Sequence, residues 1–194
     1  MTLNIPTALT WLRIVVIPML VCLYLLPPEW LSLEMRNLIA TSLFVGAAIT
    51  DWLDGWLARR LRQTSAFGEF LDPVADKLLV AAALIVLVDI ERLSGWIAAV
   101  IIGREIAISA LREWMARQGR SRSVAVNMLG KVKTAAQMVA IPLLLYYEPI
   151  GALPVALLGT VLIIVAALLT LVSMGYYLRL ALPQLRGDEV AGDD

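Results

Sequence analysis

The stretch Thr50–Lys77, TDWLDGWLARRLRQTSAFGEFLDPVADK, carries nine charged residues, four of them aspartates. Asp51 and Asp54 stand three apart, and Asp72 and Asp76 stand four apart. Long apolar runs flank the stretch on both sides. Those runs decide the class of fold. Of 194 residues, 60% are hydrophobic and only 16% are charged, against about 25% charged in an ordinary soluble domain. With a mean hydropathy of +0.82, the chain reads as an all-α integral membrane protein.

Six apolar segments are long enough to span, at roughly 8–26, 35–60, 72–89, 95–115, 128–147 and 152–178. Short turn-type sequences separate them: PPEW, RQTSAFGEF, DIERLSG, RQGRSRS and EPIGALP. Residues 1–185 therefore form one six-helix membrane domain, and 186–194 form a polar, disordered cytoplasmic tail. The first apolar run lacks a cationic start and a small-residue cleavage site, so a retained span is expected. Cys22 lies within it and is expected to be a small buried hydrophobe; a lone cysteine excludes a disulfide framework. The absence of histidine removes the usual neutral-pH general base.

Of the 16 Lys and Arg residues, only Arg36 and Arg92 fall in the connections between spans 1–2, 3–4 and 5–6. This bias places both termini in the cytoplasm, which an even span count also requires. From the outer ends, Arg13, Asp51, Asp76, Arg104 and Lys133 lie 12 to 15 residues inward, about 18–22 Å by helical rise. Five helices thus carry charge to a common depth in a hydrocarbon layer about 30 Å thick. Charges there face one another across a wet cavity, and short aspartates have little reach for snorkelling. A polar cavity opening to the cytoplasm is expected. The last span, charge-free from Gly151 to Leu178, reads as scaffold or interface.

Spacings of three and four put each pair of carboxylates on one helix face. Two consecutive helices then gather four acids, which repel and take up protons unless cations intervene. Oxygen donors without His or Cys suit Mg²⁺ or Mn²⁺ rather than zinc. Asp51, Asp54, Asp72 and Asp76 are therefore candidate ligands to two divalent ions, a site suited to phosphoryl chemistry. Asp72-Pro73 also resembles a helix N-cap followed by proline at the first helical position. Gly55, Ala58 and Gly68 permit close approach of a ligand, or of another helix. A second, cationic cluster of Arg104, Arg112, Lys131 and Lys133 is suited to a substrate phosphate, although Glu105 and Glu113 are alternative partners for these bases.

The pattern D51-x₂-D54-G55-x₂-A58-R59-x₈-G68-x₃-D72-x₃-D76 resembles the signature of the CDP-alcohol phosphotransferase family at all eight positions. The resemblance continues in NIPTALTWLRI, REIAISALREWMARQG and SVAVNMLGKVKTAAQMVA. It implies that the four aspartates bind metal and that Asp76 is also the general base. It places Gly55, Ala58, Arg59 and Gly68 at the nucleotide, with Asn4, Thr7 and Arg13 bordering it. It implies CDP-diacylglycerol as donor and glycerol 3-phosphate as acceptor, the latter docked on Arg104, Arg112, Lys131 and Lys133. A homodimer in the bacterial inner membrane, active on its cytoplasmic side and without a nucleic-acid partner, follows from the same resemblance. Other acceptors (serine or inositol phosphate) remain within the family. An intramembrane prenyltransferase would lack the GxxAR and GxxxDxxxD elements, and a transporter would be expected to show repeated halves or broken helices.

Overall fold

The computed structural model describes residues 5–61, 66–117 and 128–190. They form six helices: α1 Ile5–Leu25, α2 Leu33–Leu61, α3 Ala66–Asp89, α4 Gly95–Arg117, α5 Met128–Tyr146 and α6 Val155–Val190. Among the described residues there is no strand beyond an isolated bridge between Ile150 and Leu153. All six lie close to the segments expected from hydropathy. By length and composition one of them, over Val155–Tyr176, is apolar enough to cross a membrane, and Leu9–Leu25 is a shorter apolar helix.

Local chemistry sets the helix ends. Ser32 begins α2: its Oγ accepts from the Met35 amide at 3.3 Å, and its carbonyl accepts from Arg36 at 3.0 Å. At the end of α3, Glu91 takes a left-handed φ of 59°, so that the Arg92 and Leu93 amides both return to the Leu87 carbonyl. Arg92 then reaches across to α5. Its Nη1 donates to the Leu144 and Leu145 carbonyls at 3.1 and 2.7 Å, and its guanidinium lies 4.2 Å from the Tyr147 ring centroid. It thereby satisfies carbonyls that the end of α5 leaves open. Burial lowers the Arg92 pKa from its ordinary value, with Tyr24, Tyr147 and Glu148 acting in the opposite sense. Arg36 similarly donates to the Leu31 and Pro27 carbonyls, tying the α1–α2 connection. Both arginines that depart from the charge bias are thus held by backbone.

Two local expectations are corrected. Helix α3 starts at Ala66, so Asp72 is not its N-cap and Pro73 lies inside it. Proline there lacks the N–H that an interior turn uses. Cys22 is exposed rather than buried. It continues an outward stripe with Leu12, Val15 and Met19, spaced three and four apart on α1. In addition, α6 runs to Val190, beyond residue 186 where the sequence suggests that the tail begins.

The apolar core gathers at one end of the bundle. Val16, Leu20 and Leu23 of α1 meet Ala40 and Phe44 of α2, with Leu84 and Leu87 of α3 and Ile141 and Leu144 of α5. On α1 these residues follow Arg13; on α2 they precede Asp51; on α3 they follow Asp76. On each of these three helices the core lies to one side of the charged residue. Helix α5 packs against α6, and Gly159 lies at their contact. A Cβ there would lie 2.9 Å from Leu144 Cγ and 3.2 Å from Leu143 Cβ. Leu144 is fully buried and has nowhere to swing. In Gly159→Ala, overpacking costs about 1–3 kcal/mol, against a helix-propensity gain of about 1 kcal/mol. A lowered melting temperature in detergent is expected, and lower still for Gly159→Val. An unchanged value for both would show that the interface yields.

Candidate active site

Helix α1 presents Thr10 and Arg13, one turn apart, to α3, which presents Asp72 and Asp76, also one turn apart. They pair as two rungs. Thr10 Oγ1 donates to Asp72 Oδ1, and Arg13 Nη1 donates to Asp76 Oδ1 at 2.5 Å. The other arm of the same guanidinium, Nη2, lies 3.1 Å from Asp51 Oδ1 on α2. Arg13 is therefore the link between the two halves of the aspartate pattern. Its side chain is 0% exposed, whereas Asp51 and Asp76 are 43% and 44% exposed. The cation is sealed behind the carboxylates, and their free edges face an opening.

That opening is a cavity of about 270 Å³. Its polar lining comes from Asp51 of α2, Asp76 and Lys77 of α3, Glu105 of α4, and Lys133, Thr134 and Gln137 of α5. Of the five residues that helical rise sets at one depth, Asp51, Asp76 and Lys133 line this space. Around Glu105 a second cluster forms. Lys133 Nζ donates to Glu105 Oε1, and Arg104 Nη1 reaches the same oxygen at 3.3 Å. Arg104 Nη2 donates to Ser173 Oγ of α6 at 2.9 Å. Helix α6, expected to be scaffold or interface, thus also helps orient a cation beside the cavity. Its Ser173 and Thr170 are buried on a segment without charge, which is why hydropathy did not single them out.

The sequence-predicted residues divide accordingly. Arg13, Asp51, Asp72 and Asp76 come together, as do Arg104 and Lys133. Gly68 is buried in the first turn of α3. Lys131 is exposed, two residues before the buried Lys133. Asn4 and the side chains of Thr7, Asp54, Gly55, Ala58, Arg59 and Arg112 lie outside the described residues. Thr10 and Gln137 were missed as site residues. Each had a usable signal, Thr10 being one turn before Arg13 and Gln137 one turn after Lys133.

Among the described residues, no three acids cluster as a ready metal-binding group. The donor chemistry nevertheless fits a hard divalent cation. Asp51, Asp72 and Asp76 offer carboxylate oxygens from adjoining helices, and a buried guanidinium already bridges two of them.

A helical bundle with an aspartate-lined cavity beside a cationic cluster has the donor and acceptor chemistry that suits phosphate esters. The pattern of the family described as CDP-alcohol phosphatidyltransferase matches residues 3–172, and the chain belongs to that family. Its curated relatives include proteins named CDP-diacylglycerol–glycerol-3-phosphate 3-phosphatidyltransferase. The one from Salmonella choleraesuis (strain SC-B67) is 51% identical over 191 residues, covering 97% of this chain and 98% of its own. The one from Pseudomonas fluorescens is 50% identical over 190 residues, covering 96% and 94%. The one from Shigella flexneri is 51% identical over 184 residues, covering 93% and 96%.

Proposed function

We propose that this chain transfers the phosphatidyl group of CDP-diacylglycerol to glycerol 3-phosphate, releasing CMP and leaving phosphatidylglycerophosphate. The observation that carries the reading is the single cavity onto which Asp51 and Asp76 open together with Lys133 and Glu105. Near-full-length identity of about half to relatives bearing that enzyme name supports it.

In this reading the acceptor's primary hydroxyl attacks the phosphorus that bears diacylglycerol. A new oxygen–phosphorus bond forms, the bond to the CMP oxygen breaks, and the hydroxyl proton passes to Asp76. A carboxylate half exposed to the cavity is placed for that transfer. The family is generally dependent on divalent metal. Two Mg²⁺ or Mn²⁺ ions would be held by Asp51, Asp54, Asp72 and Asp76, neutralising the diphosphate and stabilising the departing CMP. Gly55, Ala58, Arg59 and Gly68 would approach the nucleotide, with Asn4, Thr7 and Arg13 at its border. Arg13 additionally holds Asp51 and Asp76 at a fixed separation.

The acceptor phosphate would dock on Arg104, Arg112, Lys131 and Lys133. Glu105 lies between Arg104 and Lys133, so the anion they attract already has a carboxylate counterpart. Gripping the acceptor by its remote phosphate keeps the hydroxyl close to phosphorus, which is catalysis by positioning.

All six helices would span the bacterial inner membrane with both termini in the cytoplasm. Even α5, with 19 residues, rises about 28 Å. Large apolar side chains such as Leu78, Ile85, Ile106, Leu157 and Leu168 are exposed, as lipid-facing residues are. The enzyme would act as a homodimer.

The assay is direct. Purified protein in detergent, given CDP-diacylglycerol, Mg²⁺ and labelled glycerol 3-phosphate, is expected to release CMP and move label into lipid. Release with serine or inositol phosphate alone would overturn the acceptor; no release with any alcohol would overturn the enzyme class.

A further inference from the structure

Helix α5 turns three polar side chains toward the cavity: Lys133, Thr134 and, one turn on, Gln137. Gln137 is only 4% exposed, and among the described residues its Oε1 has no hydrogen-bond partner. The buried hydroxyls of α6 are settled within the protein, Thr170 on the Ala166 carbonyl at 2.6 Å and Ser173 on the Thr170 carbonyl at 3.0 Å. Buried polar groups are almost always satisfied, and each exception calls for an explanation; unlike the Asn37 amide nitrogen, which is also unpaired among the described residues, Gln137 lines the cavity. The same cavity has apolar lining from Ala47, Leu79, Val80 and Met138. Methionine or leucine would fill such a position without an unmet polar atom.

We propose that Gln137 reads the second, non-reacting hydroxyl of the acceptor and so selects phosphorylated polyols with vicinal hydroxyls. This rests on the transfer reaction proposed above and adds a specificity-determining residue to it. The terminal amide torsion is broad and roughly two-fold, so either the oxygen or the nitrogen can be turned to the cavity. A hydroxyl both donates and accepts, and therefore satisfies the amide in either orientation. Phosphate oxygens at neutral pH need donors, which Lys133 and Arg104 supply. Register points the same way. Gln137 lies about one helical turn, about 6 Å, farther from the Met128 end than Lys133. With the acceptor phosphate on Lys133 and its reacting hydroxyl at Asp76, the middle carbon is left to face Gln137.

The test compares glycerol 3-phosphate with 3-hydroxypropyl phosphate, which keeps the primary hydroxyl and the phosphate but lacks the middle hydroxyl. The ratio of kcat/KM for the two acceptors is measured in the wild type, Gln137→Met and Gln137→Leu. Methionine is nearly isosteric, so the comparison does not depend on the leucine variant folding. Wild-type protein is expected to favour glycerol 3-phosphate, and Gln137→Met to reduce the ratio about tenfold or more, because a site built to bond a hydroxyl discriminates strongly against its loss. A wild-type ratio near one, or a ratio kept by Gln137→Met while both rates fall together, would overturn the assignment. Failure of the wild type to release CMP with either acceptor would instead bring down the underlying reaction.

Discussion

Asp76→Asn is expected to lower kcat by about 10²–10⁴-fold while CDP-diacylglycerol binding largely survives. Asparagine keeps the shape and still accepts a hydrogen bond from Arg13, but it has no proton-accepting carboxylate. The change should be gentle on the fold, because Arg13 retains Asp51 at 3.1 Å and the sealed cation keeps an opposite charge beside it. The two effects separate experimentally. CMP release under saturating acceptor reports turnover, equilibrium binding of a cytidine nucleotide reports the pocket, and melting in detergent reports stability. Near-normal turnover in Asp76→Asn would remove the general-base role, whatever the metal requirement.

Arg13→Ala is expected to be the most destabilising substitution in the site. It removes the guanidinium that Asp51 and Asp76 share, and it empties a side-chain volume that is fully buried. Breaking a buried ion pair costs about 3–5 kcal/mol, and the lower end applies here because both carboxylates stay roughly two-fifths exposed to water. A melting temperature several degrees below wild type in chelator is the expected result. Added Mg²⁺ should then raise melting more in Arg13→Ala than in the wild type, since a cation that binds only the folded form stabilises it by mass action. Arg13→Lys should fall between the two, because an ammonium supplies the charge but not the two-armed bridge. Equal Mg²⁺ shifts in Arg13→Ala and wild type would show that Arg13 does not stand in for positive charge at these carboxylates.

Much of this organisation was legible before any coordinates. Hydropathy alone placed six helices, because a helix that must bury or expose apolar side chains along most of its length leaves little ambiguity in its limits. Two limits are exceptions: α6 runs on to Val190, and α3 begins ahead of its internal proline. Asp72-Pro73 has the local form of a helix start, and the helix nonetheless begins at Ala66, six residues earlier. Tertiary contact with α1 outweighed a local preference there: Asp72 takes its hydrogen bond from Thr10 rather than from its own backbone.

The sequence by itself determined which faces carry acids, because spacings of three and four place side chains on one face of any helix. A constant rise per residue added the expectation that Asp51, Asp76, Arg104 and Lys133 share a level. Only the tertiary structure decided who meets whom on that level. Arg13 joins Asp76 across 63 residues of chain, Lys133 joins Glu105 across 28, and Arg104 reaches Ser173 across 69. Local periodicity gives a side chain a direction on its own helix and no neighbour on another. Partners are set by how the helices rotate and pack, and that is why Arg13, legible as one more basic residue near a nucleotide, proved to be the bridge that binds the two halves of the aspartate motif together.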